Sequence, residues 1–453
     1  MLLFFLSFLI IRAMDEYNTN DIIYALATGW QMSALAIIRI SGNGCLEKLS
    51  TVFSRPTALL HAKNATMVHG YIIKDGEKID EVVLSVNKEG HGYTKEEAVE
   101  INCHGSLAVI QKLMSVCESL GMRAALGGEF TMRSFLSGSI DLTQAEAVQE
   151  LVASRSQSER SFALGRLGGN IKDRIEALKT ALLKVVALVE IQLDYAEDEV
   201  DDFTFPREDV VKIKDGIESL ASTYGMGRLY GQGAKVVLAG NTNAGKSSLF
   251  NLLLKQQRAI VSPVQGTTRD YIEAQTAVQG IPVLLYDTAG LRVSTDEIES
   301  EGIRRTRGLM DEADIIIYLI DPQSSNDIDT SLLADARCMK VYSKRDLIPM
   351  DGLSLSVKTG DGVKALVDAM YQKLTAGLTN VDETALVIES DRQHKQLVAA
   401  AAALEEALQS VDNGLDIVAL ELNDAMTALG SLTGEITSDD ILKQIFSGFC
   451  VGK

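Results

Sequence analysis

The stretch GNTNAGKS, residues 240–247, decides the fold of the middle of the chain. It fits the pattern G-x(4)-G-K-[ST] and follows AKVVLAG (234–240), a run whose valines favour a β-strand. Glycines let backbone N–H groups turn around a phosphate, while Lys246 neutralises phosphate charge and the Ser247 hydroxyl ligates Mg²⁺. A strand, a phosphate-binding loop and a helix in this order predict a P-loop α/β domain.

Four further motifs follow in the order that a GTPase requires. They are GTTRD (266–270), DTAG (287–290), SKRD (343–346) and SVK (356–358). The first motif offers a threonine hydroxyl for Mg²⁺, and the second offers a Mg²⁺-facing aspartate and a glycine that senses the γ-phosphate, as in a nucleotide switch. Asp346 can accept both N–H donors of a guanine edge, which adenine lacks. The candidate nucleotide-binding residues are Asn243, Ala244, Gly245, Lys246, Ser247, Ser248, Gly266, Thr267, Thr268, Asp287, Thr288, Ala289, Gly290, Ser343, Lys344, Asp346, Ser356, Val357 and Lys358, and Arg269 is a candidate catalytic residue.

Two positions go beyond a general GTPase. Leu291 follows DTAG where a Ras-type enzyme has the glutamine that orients the attacking water, so another residue must do this. The acidic candidates just beyond it are Asp296, Glu297, Glu299 and Glu301. Asn243, inside the phosphate loop, offers an amide that can coordinate a monovalent cation. Such a cation neutralises transition-state charge as an arginine finger would.

The pattern of apolar residues divides the chain into four segments. Residues 14–134 alternate strand-like runs (35–42, 67–76, 79–87 and 98–105) with glycine-rich turns and predict an α+β domain. Residues 135–230 and 379–453 carry helical spacing and predict one helical domain made from both segments. The α/β segment, 231–378, is then inserted in a loop of that helical domain.

Composition and chain ends narrow the class of protein. The 453 residues include 46% hydrophobic and 23% charged residues, with a formal net charge of -19. This acidic balance argues against broad non-specific nucleic-acid binding, so RNA would require a local basic patch or a partner. Five scattered cysteines predict reduced thiols in a cytoplasmic protein, four of them ordinary core residues. The apolar segment 1–12 is too short to span a membrane, and we expect Met14 to be the initiator.

The chain resembles the MnmE (TrmE) family of tRNA modification GTPases from about residue 20 to its end. The matching stretches are RISG (39–42), GGEFTMRSFLSGSIDLTQAEAVQELV (127–152), NAGKSSLFN (243–251), GTTRD (266–270), DTAGLR (287–292) and DDILKQIFSGFC (439–450). The closing CVGK (450–453) matches the family's terminal Cys-x-Gly-Lys motif, which is its sharpest marker.

The resemblance implies a homodimer joined through N-terminal domains that bind a tetrahydrofolate, 5,10-methylenetetrahydrofolate or its analogue 5-formyltetrahydrofolate. GTP hydrolysis with K⁺ and Mg²⁺ drives the two G domains together. An FAD-containing partner, MnmG (GidA), joins the chain to add an aminomethyl-type (carboxymethylaminomethyl) group to carbon 5 of the wobble uridine of certain tRNAs. No membrane is involved.

The resemblance also assigns roles to individual residues. K⁺ falls on Asn243, Ser262, Val264 and Thr267, and Mg²⁺ on Ser247 and Thr268. The water-positioning glutamate falls on Glu299. The folate positions fall on Arg39, Glu100 and Lys453. Cys450 falls on a cysteine of the modification chemistry. The residues alone leave two alternatives for it, a nucleophilic thiol beside the Lys453 ammonium or a buried thiol at a helix end.

The chain departs from the family pattern in three places. SKRD has Ser343 where the family has asparagine, so guanine affinity is expected to fall while Asp346 keeps the discrimination. Ser139 stands where a lysine is usual near the folate, and residues 28–33 replace a glycine-rich stretch. The last two differences both fall in the folate-binding half.

The main alternative is a GTP-dependent RNA-binding switch, as in ribosome assembly, without modification chemistry. Such proteins share NAGKSSLxN and GTTRD but usually add an RNA-binding module, and no GXXG loop in a KH-like context occurs here. A GTP-gated metal transporter would need membrane spans that the sequence lacks. A non-catalytic scaffold is disfavoured by the intact phosphate and Mg²⁺ ligands.

Overall fold

A computed structural model describes residues 20–154, 156–194, 204–241, 243–256, 272–287, 308–324, 330–378 and 386–452. The chain forms two compact units. The first contains residues 1–149, 166–205 and 406–453, and the second contains residues 150–165 and 206–405. No helix within the described ranges is both long and apolar enough to cross a membrane.

The first unit contains a six-stranded sheet in the order β3-β4-β5-β2-β1-β6. Its strands are β1 (Ile23–Leu26), β2 (Leu35–Ser41), β3 (Thr66–Lys74), β4 (Glu77–Asn87), β5 (Ala98–His104) and β6 (Arg123–Ala124). Neighbouring strands pair antiparallel except β1 and β6. In the β2–β5 pair, Arg39 lies directly opposite Glu100, which brings two predicted site residues together.

One face of this sheet is covered by a helix. Along β4 and β5 the buried residues alternate with more exposed ones, as a sheet with one covered face requires. The helix α3 (Leu107–Ser119) buries a stripe of residues at three- and four-residue spacing: Ile110, Leu113, Val116 and Cys117. Burial raises the pKa of the Cys103 thiol to about 11 and that of Cys117 to about 12. Both are core residues, as predicted.

The remaining helices of this unit fall early and late in the chain. They are α1 (Cys45–Ser50), α2 (Pro56–Leu60), α4 (Glu129–Leu136), α7 (Asn170–Asp194), α14 (Leu415–Thr433) and α15 (Asp439–Ser447). The long helices α7 and α14 pack against each other. Helix α7 buries the stripe Ile171, Ile175, Leu178, Leu182, Val185, Val186 and Val189. This stripe confirms the predicted amphipathic character of the segment.

Three helices contain residues of both units. They are α5 (Leu142–Ala153), α6 (Gln157–Leu167) and α13 (Asp391–Gln409). The chain thus mixes helices and strands in more than one unit, in agreement with the predicted multidomain fold class.

The second unit contains a five-stranded sheet in the order β11-β10-β7-β9-β8. Its strands are β7 (Ala234–Gly240), β8 (Ile272–Val278), β9 (Ile281–Asp287), β10 (Ile315–Ile320) and β11 (Cys338–Tyr342). All pairs are parallel except β8–β9. Besides most of α6, its helices are α8 (Arg207–Ala221), α9 (Tyr224–Gln232), α10 (Lys246–Gln256), α11 (Thr330–Leu333) and α12 (Val363–Thr375).

The chain enters and leaves this α/β region at the same place. Helix α9 leads into β7, and residues 387–389 pack against its glycines. A Cβ on Gly227 would overlap the carbonyl oxygen of Ile388, and one on Gly231 would overlap the Glu389 carboxylate. Only glycine permits this approach, and adjacent ends are what an inserted domain requires.

Candidate nucleotide site and C-terminal thiol site

The phosphate loop begins where β7 meets its neighbour β10. Gly240 has φ 129°, and a Cβ there would overlap the carbonyl oxygen of Leu319 on β10. Gly245 has φ 97°, and α10 starts at the next residue. Both glycines therefore occupy backbone conformations that residues with side chains rarely adopt. The cradle depends on the absence of these two side chains.

Lys246 is the first residue of α10, and its buried side chain lies against the loop that precedes the helix. Its Nζ donates to the carbonyl oxygens of Gly240 (2.6 Å) and Asn241 (2.8 Å). These bonds hold the ammonium at the centre of the loop, beside the first turn of α10. The free N–H groups of a helix N-terminus also attract anions. A phosphate group therefore fits the residues present, and Ser247 and Ser248 are exposed at this turn.

Asp287 lies at the carboxyl end of β9, next to the phosphate loop. In the β7–β9 register it is opposite Leu238, two residues before Gly240. Its side chain is buried, with 1% of its surface exposed. A carboxylate and the Ser247 hydroxyl are oxygen donors of the kind that Mg²⁺ prefers. Among the described residues, the oxygen atoms of Asp287 and Ser247 therefore fit Mg²⁺.

Asn243 lies at the tip of the phosphate loop. Its φ is 64°, a left-handed conformation that asparagine tolerates better than most residues, and it is exposed. An exposed amide oxygen at this position is a suitable donor for a monovalent cation. The other predicted K⁺ donors, Ser262, Val264 and Thr267, lie outside the described residues.

Several other predicted residues also lie outside the described ranges. They are Gly266, Thr268, Arg269, Thr288, Ala289, Gly290, Glu299 and Lys453. Their assigned roles remain predictions.

The two base-recognition motifs are joined to each other at the carboxyl end of β11. Arg345 N–H donates to the Leu355 carbonyl oxygen (3.1 Å), and Tyr342 forms a bridge with Ser354. Ser356 is buried, while Val357 is half-buried and Lys358 is exposed. Asp346 is exposed, so its carboxylate is accessible to a base.

Ser343, the residue that departs from the family pattern, is buried beneath this loop. Its backbone N–H (2.8 Å) and its Oγ (3.2 Å) both donate to the Ile320 carbonyl oxygen. Lys344 donates to the carboxylate of Asp321, a residue that was not singled out from the sequence. The available signal was a carboxylate that ends the apolar run DIIIYLID at the edge where the other motifs meet.

The predicted folate residues meet in the first unit, at the C-terminal tail. Arg39 forms an ion pair with Glu100 (2.8 Å), and its Nη1 donates to the Gly452 carbonyl oxygen (3.1 Å). The guanidinium also lies 5.7 Å from the centre of the Phe130 ring. The arrangement leaves about a quarter of the Arg39 side chain exposed, so the guanidinium can still reach a ligand.

A pair of glycines receives the tail. Gly127 forms a β-bridge with Val451, and Gly128 N–H donates to the Cys450 carbonyl oxygen (3.4 Å). A Cβ on Gly127 would lie 2.8 Å from the Phe449 carbonyl oxygen. Sequence reasoning missed this contact, because GG at the start of a helix indicates a turn but not what the turn touches.

The tail is further anchored by helix α15. Phe446 and Phe449 are buried, with ring centres 5.4 Å apart, and they pack with Met132 of α4 and Leu142 of α5. Gln149 donates to the Gly448 carbonyl oxygen (3.0 Å). Cys450 itself is exposed. The thiol is therefore held on a fixed backbone and is accessible from solvent.

A partly buried ion cluster supports the same helix, α4. Arg133 pairs with Asp21 (2.6 Å), Glu96 (3.1 Å) and Glu129 (3.1 Å), and Arg123 pairs with Asp21 and Glu129. Burial on its own raises the pKa of Asp21, but hydrogen bonds from the two arginines outweigh it and hold the pKa below its usual value. The cluster ties α4, and with it Phe130, to the sheet.

A phosphate loop, an aspartate on the adjacent strand and paired base loops lie at one edge of a largely parallel sheet. These features define the protein as a P-loop GTPase. The chain also matches two family models: "MnmE helical domain" over residues 142–450 and "GTP-binding protein TrmE N-terminus" over residues 22–139.

Several curated relatives are similar over nearly their whole length. The tRNA modification GTPase MnmE of Treponema denticola is 39% identical, with 97% of this chain and 99% of that protein covered. The MnmE proteins of Borrelia recurrentis (36%; 96% and 99%) and Carboxydothermus hydrogenoformans (35%; 96% and 100%) are also similar. The chain belongs to the MnmE family of tRNA modification GTPases, and it is a GTP hydrolase.

The similar solved structures match only part of this chain. A point variant of Aquifex aeolicus Era bound to GDP.AlF4- is 20% identical, covers 38% of this chain and 66% of its own, and has a TM-score of 0.26. The G domain of the T. maritima FeoB iron transporter is 22% identical, covers 31% and 98%, and has a TM-score of 0.23. The family assignment rests on the sequence relatives and not on these scores.

Proposed function

We propose that this GTP hydrolase acts with an FAD-dependent partner, MnmG, on tRNA. Together they add an aminomethyl-type (carboxymethylaminomethyl) group to carbon 5 of the wobble uridine. The relatives are named as tRNA modification GTPases, and the chain spans 99% of the length of the T. denticola protein. GTP hydrolysis supplies the conformational step, and the C-terminal tail takes part in the chemistry on the base.

The observation that carries the proposal is the position of the tail. Cys450 is exposed directly beside Val451 and Gly452, whose backbone is bound to Gly127 and Arg39. The backbone two residues after the thiol is therefore bound to Arg39, one of the predicted folate residues. A folate carries carboxylates, which Arg39 can bind, and supplies a one-carbon unit when bound. Lys453 completes this proposed site.

The nucleotide site is proposed to use two metal ions with different ligands. Ser247 and Thr268 would hold Mg²⁺ at the phosphates. Asn243, Ser262, Val264 and Thr267 would hold K⁺, which supplies positive charge beside the phosphates. Glu299 would orient the attacking water in place of the glutamine that Leu291 replaces, and Arg269 would assist it.

A GTPase assay in matched K⁺ and Na⁺ buffers tests this site. We expect kcat to fall at least about tenfold in Na⁺, since Na⁺ is smaller than K⁺ and needs shorter distances to its donors, while GDP affinity stays within about twofold. Glu299→Ala in K⁺ should also lower kcat with little effect on GDP affinity. Equal rates in the two salts would overturn the potassium assignment.

We also propose that the chain is a homodimer through its N-terminal domain, with the two G domains meeting during hydrolysis. Light scattering of the purified chain should give twice the chain mass of 49.1 kDa. A monomer at micromolar concentration would contradict the proposal.

The alternative is a GTP-dependent RNA-binding switch without modification chemistry. Such a protein would share the nucleotide site but would have no use for a docked, exposed thiol. The exposed Cys450, on a tail whose Gly452 is bonded to Arg39, therefore favours the modification role, and the tRNA nucleoside profile distinguishes the two functions.

A further inference from the structure

Asp321 holds the central lysine of the guanine-binding loop. It follows β10 directly, and 6% of its side-chain surface is exposed. Its Oδ2 accepts a hydrogen bond from Lys344 Nζ, and its Oδ1 accepts one from the Gln323 N–H (3.0 Å). The carboxylate is therefore fixed by its own turn while it binds Lys344.

The backbone of Lys344 needs such a partner. Its φ is 55°, a left-handed conformation that is strained for a residue with a long side chain. Three bonds stabilise this conformation: the ion pair to Asp321 and the bonds from the Leu347 N–H (2.9 Å) and the Ile348 N–H (3.2 Å) to the Lys344 carbonyl oxygen. Asp346, the predicted base contact, lies inside the turn that these bonds close.

Ser343 cannot supply the same support. A longer amide side chain can reach across to neighbouring loops, but the Ser343 hydroxyl is bound to the Ile320 carbonyl oxygen, at the end of the adjacent strand. The Ser343 side chain therefore holds only the start of the loop, next to the strand. In this chain the loop is held above that point by Lys344 and Asp321.

The charge on Asp321 suits this task. Burial on its own raises the pKa of its carboxyl, but hydrogen bonds from Lys344 and from the Gln323 N–H outweigh that effect and leave the pKa lowered. The group is therefore ionised at neutral pH and forms a charge-assisted bond with the lysine.

We propose that Asp321 is a positioning residue for guanine selectivity: by holding Lys344 it places Asp346 against the base, in the role left open by the serine at 343. The proposal rests on GTP recognition alone. Its failure would leave the proposed role in tRNA modification untouched.

The test uses the full-length chain and two nucleotides, GDP and IDP, which lacks the 2-amino group that Asp346 would bind. Asp321→Asn is expected to weaken GDP binding about tenfold, as the loss of a charge-assisted bond predicts. IDP binding should weaken less, so the ratio of GDP to IDP affinity falls. At saturating GTP, kcat should stay within about twofold. An unchanged GDP-to-IDP ratio would overturn the proposal.

Asp335→Asn is the matched control. Asp335 forms an ion pair with Arg337 (2.7 Å) before β11, at the opposite end of this strand from Ser343. This variant removes the same charge in the same unit and should leave both affinities within about twofold of wild type. A fall in the ratio equal to that of Asp321→Asn would show a general charge effect and contradict the proposal.

A second set of variants changes Lys344, the more exposed partner of the ion pair. Lys344→Gln should lower the GDP-to-IDP ratio, and combining it with Asp321→Asn should lower it no further, because both remove one interaction. Ser343→Asn supplies an amide and should restore much of the ratio in the Lys344→Gln background, even if Asp321→Asn does not fold. Additive losses, or no restoration, would overturn the proposal.

Discussion

Arg39 donates a hydrogen bond through Nη1 to the carbonyl oxygen of Gly452, 3.1 Å away in space and 413 positions away in the chain. The same guanidinium pairs with Glu100, directly opposite on the neighbouring strand. The strand pair thus fixes the arginine, and the arginine fixes the tail. The exposed Cys450 thiol lies two residues before this connection.

Gly452→Ala should release the tail. Gly452 has φ 95°, and a Cβ would lie 2.5 Å from the Leu26 carbonyl oxygen, so alanine is both strained and obstructed. We expect carboxypeptidase to remove the C-terminal residues faster, as followed by intact mass, while GTP turnover by the other unit changes less than about twofold.

Gly138→Ala is the control for the tail. Gly138 has φ 71° in the same unit but nothing within 4 Å of the added Cβ. Alanine at this position therefore adds only the backbone strain, about 1–3 kcal/mol. Equal digestion of the two variants would show that the tail is not held as described.

Gly240→Ala should abolish nucleotide binding. Its Cβ would overlap the Leu319 carbonyl oxygen, and β7 would have to move away from β10 for the loop to form. We expect GDP affinity to fall more than about a hundredfold, since the backbone N–H groups of the cradle lose their arrangement. Titration of a fluorescent GDP measures this.

Gly377→Ala provides the comparison for the loop. Gly377 has φ 76° in the same unit, with nothing within 4 Å of the added Cβ. It should bind GDP within about twofold of wild type. If Gly240→Ala bound equally well, the loop would not be the nucleotide site.

Asp21→Asn should change the acid stability of the first unit. The folded pKa of Asp21 lies below its ordinary value near 3.8, so its ion pairs stabilise the fold above that value and are lost as the pH falls through the folded pKa. The amide of the variant does not titrate in this range, so the variant should be less stable at pH 7 and should lose less stability below about pH 4. Urea midpoints from pH 7 to pH 3 measure the difference.

Glu89→Gln, at an exposed side chain, is the control for the acid series. Its curve should follow the wild type throughout. An Asp21→Asn curve parallel to the wild type down to pH 3 would contradict the role given to the ion cluster.

Periodicity in the sequence was enough to locate the main elements. LAIIRISG (35–42) and AVEINCHG (98–105) form β2 and β5, and RQHKQLVAAAAALEEALQSV (392–411) forms most of α13. Each has several apolar residues at one spacing, so the local signal is strong. The two-residue strand β6, Arg123–Ala124, is too short to carry any such period.

Contacts between distant segments were beyond sequence reasoning. The motif residues Lys246, Asp287 and Asp346 were named from local patterns, because their spacing to a strand end fixes their place. Asp321 and Gly127 act only through partners that the fold brings to them, Lys344 and Val451. No local pattern in one chain encodes such pairs.

The most direct test of the central claim is nucleoside analysis of tRNA. The measurement compares a strain that lacks this protein with the same strain carrying the wild-type chain or Gly240→Ala. We predict that the C5-substituted wobble uridine disappears in the deletion strain, returns with the wild-type chain and stays absent with Gly240→Ala. A wobble uridine profile that is unchanged in the deletion strain would contradict the role in tRNA modification and favour the RNA-binding switch.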